Sequence, residues 1–138
     1  MDRRTFLALS AGAATAALPL AATAAPLAYT PGLVTKHLNK GDTVFLDFKA
    51  SWCTTCAAQE RVLKALKDAD ASYEANVTFI DVDWDDPASA SLIKSLKIPR
   101  RSTLVVLKDD QELGRIVAQT SRASIKGLMD TALGAATA

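Results

Sequence analysis

Apolar residues recur along the chain with two different periods. Thr43–Ala50 (TVFLDFKA) and Val77–Asp83 (VTFIDVD) are short runs rich in β-branched and aromatic residues, the composition of strands buried on both faces. Between them the period lengthens. From Cys53 onward, Ala58, Val62, Ala65, Leu66 and Ala69 fall at i, i+4, i+7, i+8 and i+11, with Glu60, Lys64 and Asp68 on the other side, which predicts an amphipathic helix. Gly32–Lys40 predicts a brief helix closed by Gly41-Asp42, and Ala25–Pro31 a linker or irregular strand. Asp86-Pro87 reads as an N-cap followed by proline at the first helical position, opening a helix whose inner face carries Ala88, Leu92 and Leu96. Thr103–Leu107 and Leu113–Ala118 flank the polar turn 108–112 as a β-hairpin. Ser121 caps a last helix with Ile125, Leu128, Met129, Ala132 and Leu133 on one face. The predicted order is β-α-β-α-β-β-α, an α/β class, with no internal repeat.

Composition narrows the function. The 138 residues are one domain's worth of sequence, and 16 basic against 15 acidic side chains provide no field for nucleic acid. Two cysteines and one histidine, His37, can neither staple a disulfide scaffold nor complete a four-ligand zinc site.

The first two dozen residues read as a targeting segment. Arg3-Arg4-Thr5-Phe6-Leu7 precedes an uncharged, alanine-rich stretch broken by Gly12 and Pro19, and Ala22-Thr23-Ala24 offers the small residues a signal peptidase reads. The pattern resembles a twin-arginine export signal. An ordinary secretory signal and an uncleaved anchor are the alternatives; alanine and Pro19 weaken the anchor, since spanning takes ~20 strongly apolar residues. With cleavage after Ala24, Asp2, Arg3 and Arg4 are lost, and residues 25–138 carry 14 basic and 14 acidic groups. Every cleaved route delivers that domain outside the cytoplasm, and the expected compartment is the periplasm.

The chemistry lies in Trp52-Cys53-Thr54-Thr55-Cys56. Cysteines at i and i+3 at a helix start bring their Cα atoms within disulfide range. At the helix N-terminus, unpaired N–H groups and the dipole favour the thiolate of Cys53, while Cys56 lies one turn further in. Cys53 is therefore the expected attacking thiol, and Cys56 the thiol that resolves the mixed disulfide. Asp47 is a second anomaly, because a carboxylate inside an apolar strand is costly without a task or a partner such as Lys49 or Lys94.

The run Asp47-Phe48-Lys49-Ala50-Ser51-Trp52-Cys53-Thr54-Thr55-Cys56 resembles the active-site segment of the thioredoxin family, especially periplasmic members whose motif departs from Cys-Gly-Pro-Cys. The likeness extends through Asp81-Val82-Asp83 to the terminal hairpin and helix. It implies a thioredoxin fold, a central mixed β-sheet flanked by helices, acting without a cofactor beyond the redox-active Cys53–Cys56 disulfide. It also implies that Asp47 lies beneath Cys56 and relays its proton, with burial raising its pKa. Trp52 is then either packing or a lid on the sulfur, and belongs with Arg101, Ser102 and Thr103 in the expected substrate-binding set.

The chain departs from the family where a cis-proline followed by threonine would face the cysteines. Aligning Thr103-Leu104 with that region puts Ser102 at the proline position, with Pro99 three residues early. A cis bond without proline costs roughly 2.5–4 kcal/mol, so the Arg101–Ser102 bond is expected to be trans or the loop to be rebuilt around Pro99. The serine hydroxyl can approach the sulfurs, and Ser102→Pro is expected to move the site toward ordinary thioredoxin behaviour. Arg100 and Arg101 either face Cys53, favouring its thiolate and acidic substrates, or point to solvent. Ala118 stands where the family often has a groove glycine. Trp84, Met129 and Tyr73 read as packing, and His37 as a helix residue.

The leading reading is an exported, monomeric thiol–disulfide oxidoreductase that reduces or isomerises protein disulfides and is served by an upstream periplasmic or membrane thiol donor. It binds no nucleic acid, no metal, and no membrane once the signal is cleaved. Two alternatives use the same residues: a module handling Cu(I) or an iron–sulfur cluster through Cys53 and Cys56, and a non-catalytic partner-binding domain.

Overall fold

A computed structural model describes residues 25–138 and Gly12. The expected signal segment, residues 1–24, otherwise lies outside the described residues. The chain runs through β1 (Leu27–Ala28), α1 (Leu33–Asn39), β2 (Thr43–Lys49), α2 (Thr54–Ala69), α3 (Ser72–Asn76), β3 (Thr78–Asp83), a 3₁₀ turn (Pro87–Ser89), α4 (Ala90–Ser95), β4 (Thr103–Lys108), β5 (Gln111–Val117) and α5 (Arg122–Ala136). The strands form one sheet in the order β1-β3-β2-β4-β5. β3 pairs parallel to β1 and β2, whereas β4 is antiparallel to both β2 and β5. The sheet is mixed, as the resemblance implied.

Alternation along β2 explains why its run is nearly all apolar. Phe45 faces one core with Leu63, Leu66, Phe79, Ile125 and Met129, contributed by α2, β3 and α5. Val44, Leu46 and Phe48 face the other, where α1 and α4 cover the sheet with Val34, Leu92, Ile93 and Leu96. A central strand with a helical layer on each side has no solvent face, so both sets of side chains are hydrophobic. The polar residues on the Phe45 side are Thr43, Asp47 and Lys49, the last two in register with Asp81 and Asp83 of β3.

The helix stripe of α2 is rotated from the predicted one. Cys56, Gln59, Leu63 and Leu66 are its buried residues, while Ala65 and Ala69 are exposed. Alanine is nearly indifferent to either face, so a stripe anchored on alanines misplaces the axis, and Gln59 is a polar residue the pattern could not assign inward. In the segment opened by Pro87, Ala88 is exposed and Ser89 is buried, so only Leu92 and Leu96 of the predicted inner face turn inward. The hairpin is tighter than predicted: its strands reach Lys108 and resume at Gln111, leaving Asp109-Asp110 as the turn. Asp86 caps the Ala88 N–H at 2.9 Å and Ser121 caps the Ser124 N–H at 3.2 Å, as their sequence positions indicated.

Candidate redox site

β2 ends at Lys49, and Ala50-Ser51-Trp52 carries the chain onto the N-terminus of α2, where Cys53 is the N-cap residue. Cys53 Sγ accepts the Cys56 N–H at 3.1 Å, so a sulfur fills the place usually taken by a serine or aspartate oxygen. The two cysteines form a disulfide with their Cα atoms 5.2 Å apart. Cys53 is 5% exposed and Cys56 2%, so both are buried and Cys53 is the slightly more open.

The loop before β4 closes over the sulfurs. The described residues contain no cis peptide bond, and Ser102 adopts φ +65, in the left-handed region. Its Oγ lies 3.1 Å from Cys53 Sγ and 3.1 Å from Cys56 Sγ. Its backbone is fully used: the N–H donates to Phe48 O at 2.7 Å, and the carbonyl accepts from the Ala118 N–H at 2.8 Å and Gln59 Nε2 at 3.0 Å. Ser102 is therefore the residue that closes on the disulfide, and Pro99 is not. The same geometry makes Ser102→Pro a poor mimic of the family pattern, since proline cannot adopt φ +65 and would delete the bond to Phe48.

Gln59 is the residue sequence reasoning missed. It is fully buried, one turn beyond Cys56, and its amide also donates to Gln119 O at 3.0 Å. It thereby ties the Ser102 loop and the end of β5 to the cysteine-bearing helix. The available signal was its position three residues after Cys56 on the same helix face.

Asp47 is 4% exposed, and its Oδ1 has no hydrogen-bond partner among the described residues. It opens into a cavity of about 200 Å³ under α2, bordered also by Lys49, Glu60, Leu63, Lys67 and Asp81. Burial first, and then the neighbouring Asp81 carboxylate, push its pKa from the ordinary 3.8 up to about 7, against the opposing pull of Lys49. Lys49 does not pair with it. Its Nζ lies 3.0 Å from Glu60 Oε1 and 3.6 Å from Asp81 Oδ2. Burial lowers the Lys49 pKa, but the hydrogen bond to Glu60 and the surrounding carboxylates outweigh it and leave the amine above its usual range. Burial lowers Lys67, whose amine lies 4.0 Å from the Phe79 ring centroid, and raises Asp81.

The rim differs from a simple packing arrangement. Trp52 is 56% exposed, its indole N–H donates to Asp85 Oδ2 at 2.6 Å, and the Arg101 guanidinium carbon sits 4.2 Å from the centroid of its ring. Trp52 is thus a surface platform beside the disulfide and not core packing. Arg101 Nε is buried without a partner among the described residues, while Arg100 Nε donates to Arg101 O at 3.0 Å. Thr103 lies under the loop, fully buried, with its hydroxyl donated to Arg100 O at 2.7 Å, so it shapes the loop without presenting a side chain to the surface. His37 is in α1, 2.8 Å from Asp42, away from the site. Trp84 packs against the small cluster of Ala50, Cys53 and Cys56, and Met129 and Tyr73 are core. No three His, Cys, Asp or Glu side chains converge as a metal site among the described residues.

The chain has the same architecture and sequence pattern as known proteins. A family model described as Thioredoxin matches residues 30–131. A thioredoxin of Mycolicibacterium smegmatis is 32% identical over 100 residues, covering 72% of this chain and 86% of that protein. Thioredoxin H2-1 of Oryza sativa subsp. japonica is 33% identical over 81 residues; the match covers 59% of this chain and about half, 54%, of the rice protein. Among solved structures, Trxlp from Edwardsiella tarda superimposes with a TM-score of 0.66 at 25% identity, covering 75% of this chain and 98% of that one. An Entamoeba histolytica thioredoxin shares the fold with a TM-score of 0.63 at 23% identity, over 78% of this chain and 99% of that one. With the fold, the Cys53–Cys56 disulfide at the head of α2 and a family match across most of its length, the chain belongs to the thioredoxin family and carries that family's thiol–disulfide oxidoreductase chemistry.

Proposed function

We propose that the chain is an exported thiol–disulfide oxidoreductase that reduces or rearranges protein disulfides in the periplasm. The observation that carries the redox reading is the Cys53–Cys56 disulfide seated on the N-terminus of α2, on the helix that covers a buried carboxyl poised near neutrality. In the reducing direction the Cys53 thiolate attacks a substrate disulfide. A Cys53–substrate S–S bond forms, the substrate S–S bond breaks, and the first substrate sulfur leaves with the electron pair and takes a proton from water. Cys56 then loses its proton to Asp47 and attacks Cys53 Sγ. The Cys53–Cys56 bond closes as the Cys53–substrate bond breaks, the second substrate sulfur leaves with the electron pair and takes a proton from water, and Asp47 returns its own proton to solvent through the cavity under α2. Two electrons pass from the chain to the substrate, and an upstream thiol donor restores the dithiol.

Trp52 and Arg101 form the substrate rim in this reading. The Arg101 guanidinium stacked on the exposed Trp52 ring suits an extended segment carrying a carboxylate near its cysteine. Export rests on residues 1–24, whose paired arginines, weakly apolar stretch and small residues before Ala25 fit a cleaved leader.

The purified reduced protein should reduce insulin disulfides with a thiol donor present. Cys56→Ser should accumulate the mixed disulfide with Cys53, and Cys53→Ser should abolish turnover. Trapping through Cys56 would reverse the assigned roles, and absence of turnover would overturn the activity. N-terminal sequencing of the exported form should begin at Ala25; a full-length cytoplasmic product would remove the compartment from the proposal.

A further inference from the structure

We propose that the Ser102 hydroxyl is a fourth catalytic group beside Cys53, Cys56 and Asp47, donating one hydrogen bond in turn to the Cys53 thiolate that attacks and to the Cys56 thiolate that leaves. The inference deepens the oxidoreductase reading and rests on it. Its basis is the position of Ser102 Oγ, 3.1 Å from each sulfur in a buried site.

In the disulfide form neither sulfur carries a hydrogen, so the single Ser102 O–H is the donor and is shared between the two contacts. A disulfide sulfur is a weak acceptor and a thiolate a strong one. The same O–H therefore stabilises the reduced, ionised centre more than the oxidised one. Before attack on a substrate it donates to Cys53 Sγ, adding to the Cys56 N–H that already points there. When a donor thiolate opens the disulfide at Cys53, a bond forms between the donor sulfur and Cys53 Sγ. The Cys53–Cys56 bond breaks, and the electron pair leaves on Cys56 Sγ, which Oγ–H also reaches. The hydroxyl keeps its proton throughout, and the leaving thiolate later takes one from Asp47.

The protein holds this hydroxyl in place at some cost. Ser102 is a non-glycine residue at φ +65, and every backbone polar group it has is bonded to Phe48, Ala118 or Gln59. The chain thus fixes an L-residue in a disfavoured conformation with its single polar side-chain atom aimed between two sulfurs. A serine that served only packing would not need to point there.

Ser102→Ala removes the hydroxyl and keeps the backbone preference, and Ser102→Gly removes it in a residue suited to φ +65. Thiolate absorbance of the reduced protein, titrated against pH, should show about a tenfold smaller Cys53 thiolate fraction on the acid limb in both variants. Alkylation there should slow by only about threefold, because a more basic thiolate is intrinsically more nucleophilic. The equilibrium with a glutathione buffer should move toward the Cys53–Cys56 disulfide, and opening of that disulfide by a small dithiol should slow. If Ser102→Ala does not fold, Ser102→Gly decides alone. Folded variants with the wild-type titration and glutathione equilibrium would overturn the assignment. The titration uses no protein substrate, so failure to reduce insulin would overturn the proposed function and leave this test standing.

Discussion

Asp47→Asn should remove the pH dependence of stability that this carboxyl imposes. Because Asp47 has a folded-state pKa of about 7 against an ordinary 3.8, the folded chain binds its proton more tightly than the unfolded chain does. Its contribution is therefore whole below about pH 4 and is lost as pH rises through about 7. At 1.36 kcal/mol per pKa unit, the loss across that window is about 4 kcal/mol as an upper figure. Asparagine cannot ionise, but its amide enters a site where Asp47 Oδ1 already lacks a partner, at a cost of about 1–3 kcal/mol. The variant should be slightly less stable than wild type near about pH 5, and more stable by about 1–3 kcal/mol near about pH 8. Lys49, Glu60, Lys67 and Asp81 face the same cavity in both proteins, so the difference between the two curves reports Asp47 together with its coupling to these neighbours. Urea denaturation at a series of pH values measures it. A constant difference between the proteins across the window would refute the buried, neutral carboxyl and the relay built on it. The same variant should slow the resolving step at Cys56 more than the first attack by Cys53.

Two further predictions concern the loop over the sulfurs. Ala118 sits at φ +58, and its N–H is bonded to Ser102 O, so Ala118→Gly should relieve strain and raise stability by about 1 kcal/mol in thermal or urea melts. Gln59→Ala removes one buried and one part-buried hydrogen bond and leaves Ser102 O with the Ala118 N–H alone, and should cost about 1–3 kcal/mol. In the folded fraction it should also slow Cys53 alkylation, because Ser102 would lose part of its anchorage. Arg101→Ala should weaken turnover of disulfide peptides that carry an acidic residue near the cysteine, seen as a higher KM with kcat little changed. Equal effects on neutral and acidic peptides would remove Arg101 from substrate selection.

Local chemistry wrote much of this protein into its sequence. β2 and β3 are legible because a strand buried on both faces must be apolar throughout, and α5 because Ile125, Leu128, Met129 and Ala132 repeat with the helical period. Cys53 and Cys56 needed only their spacing and the helix start to be read as a redox pair. Asp47 was visible as a charge where no charge belongs. The tertiary structure alone decided what faces them. Gln59 and Ser102 come from different elements, and beyond the spacing of Gln59 from Cys56 nothing local marks that glutamine as buried or this serine as left-handed; their roles arise where the loop before β4 meets the head of α2. The rotation of α2, the exposure of Trp52 and the diversion of Lys49 to Glu60 and Asp81 are of the same kind. Each depends on which neighbours the sheet order brings alongside, and that order is set by long-range pairing that no window of sequence contains.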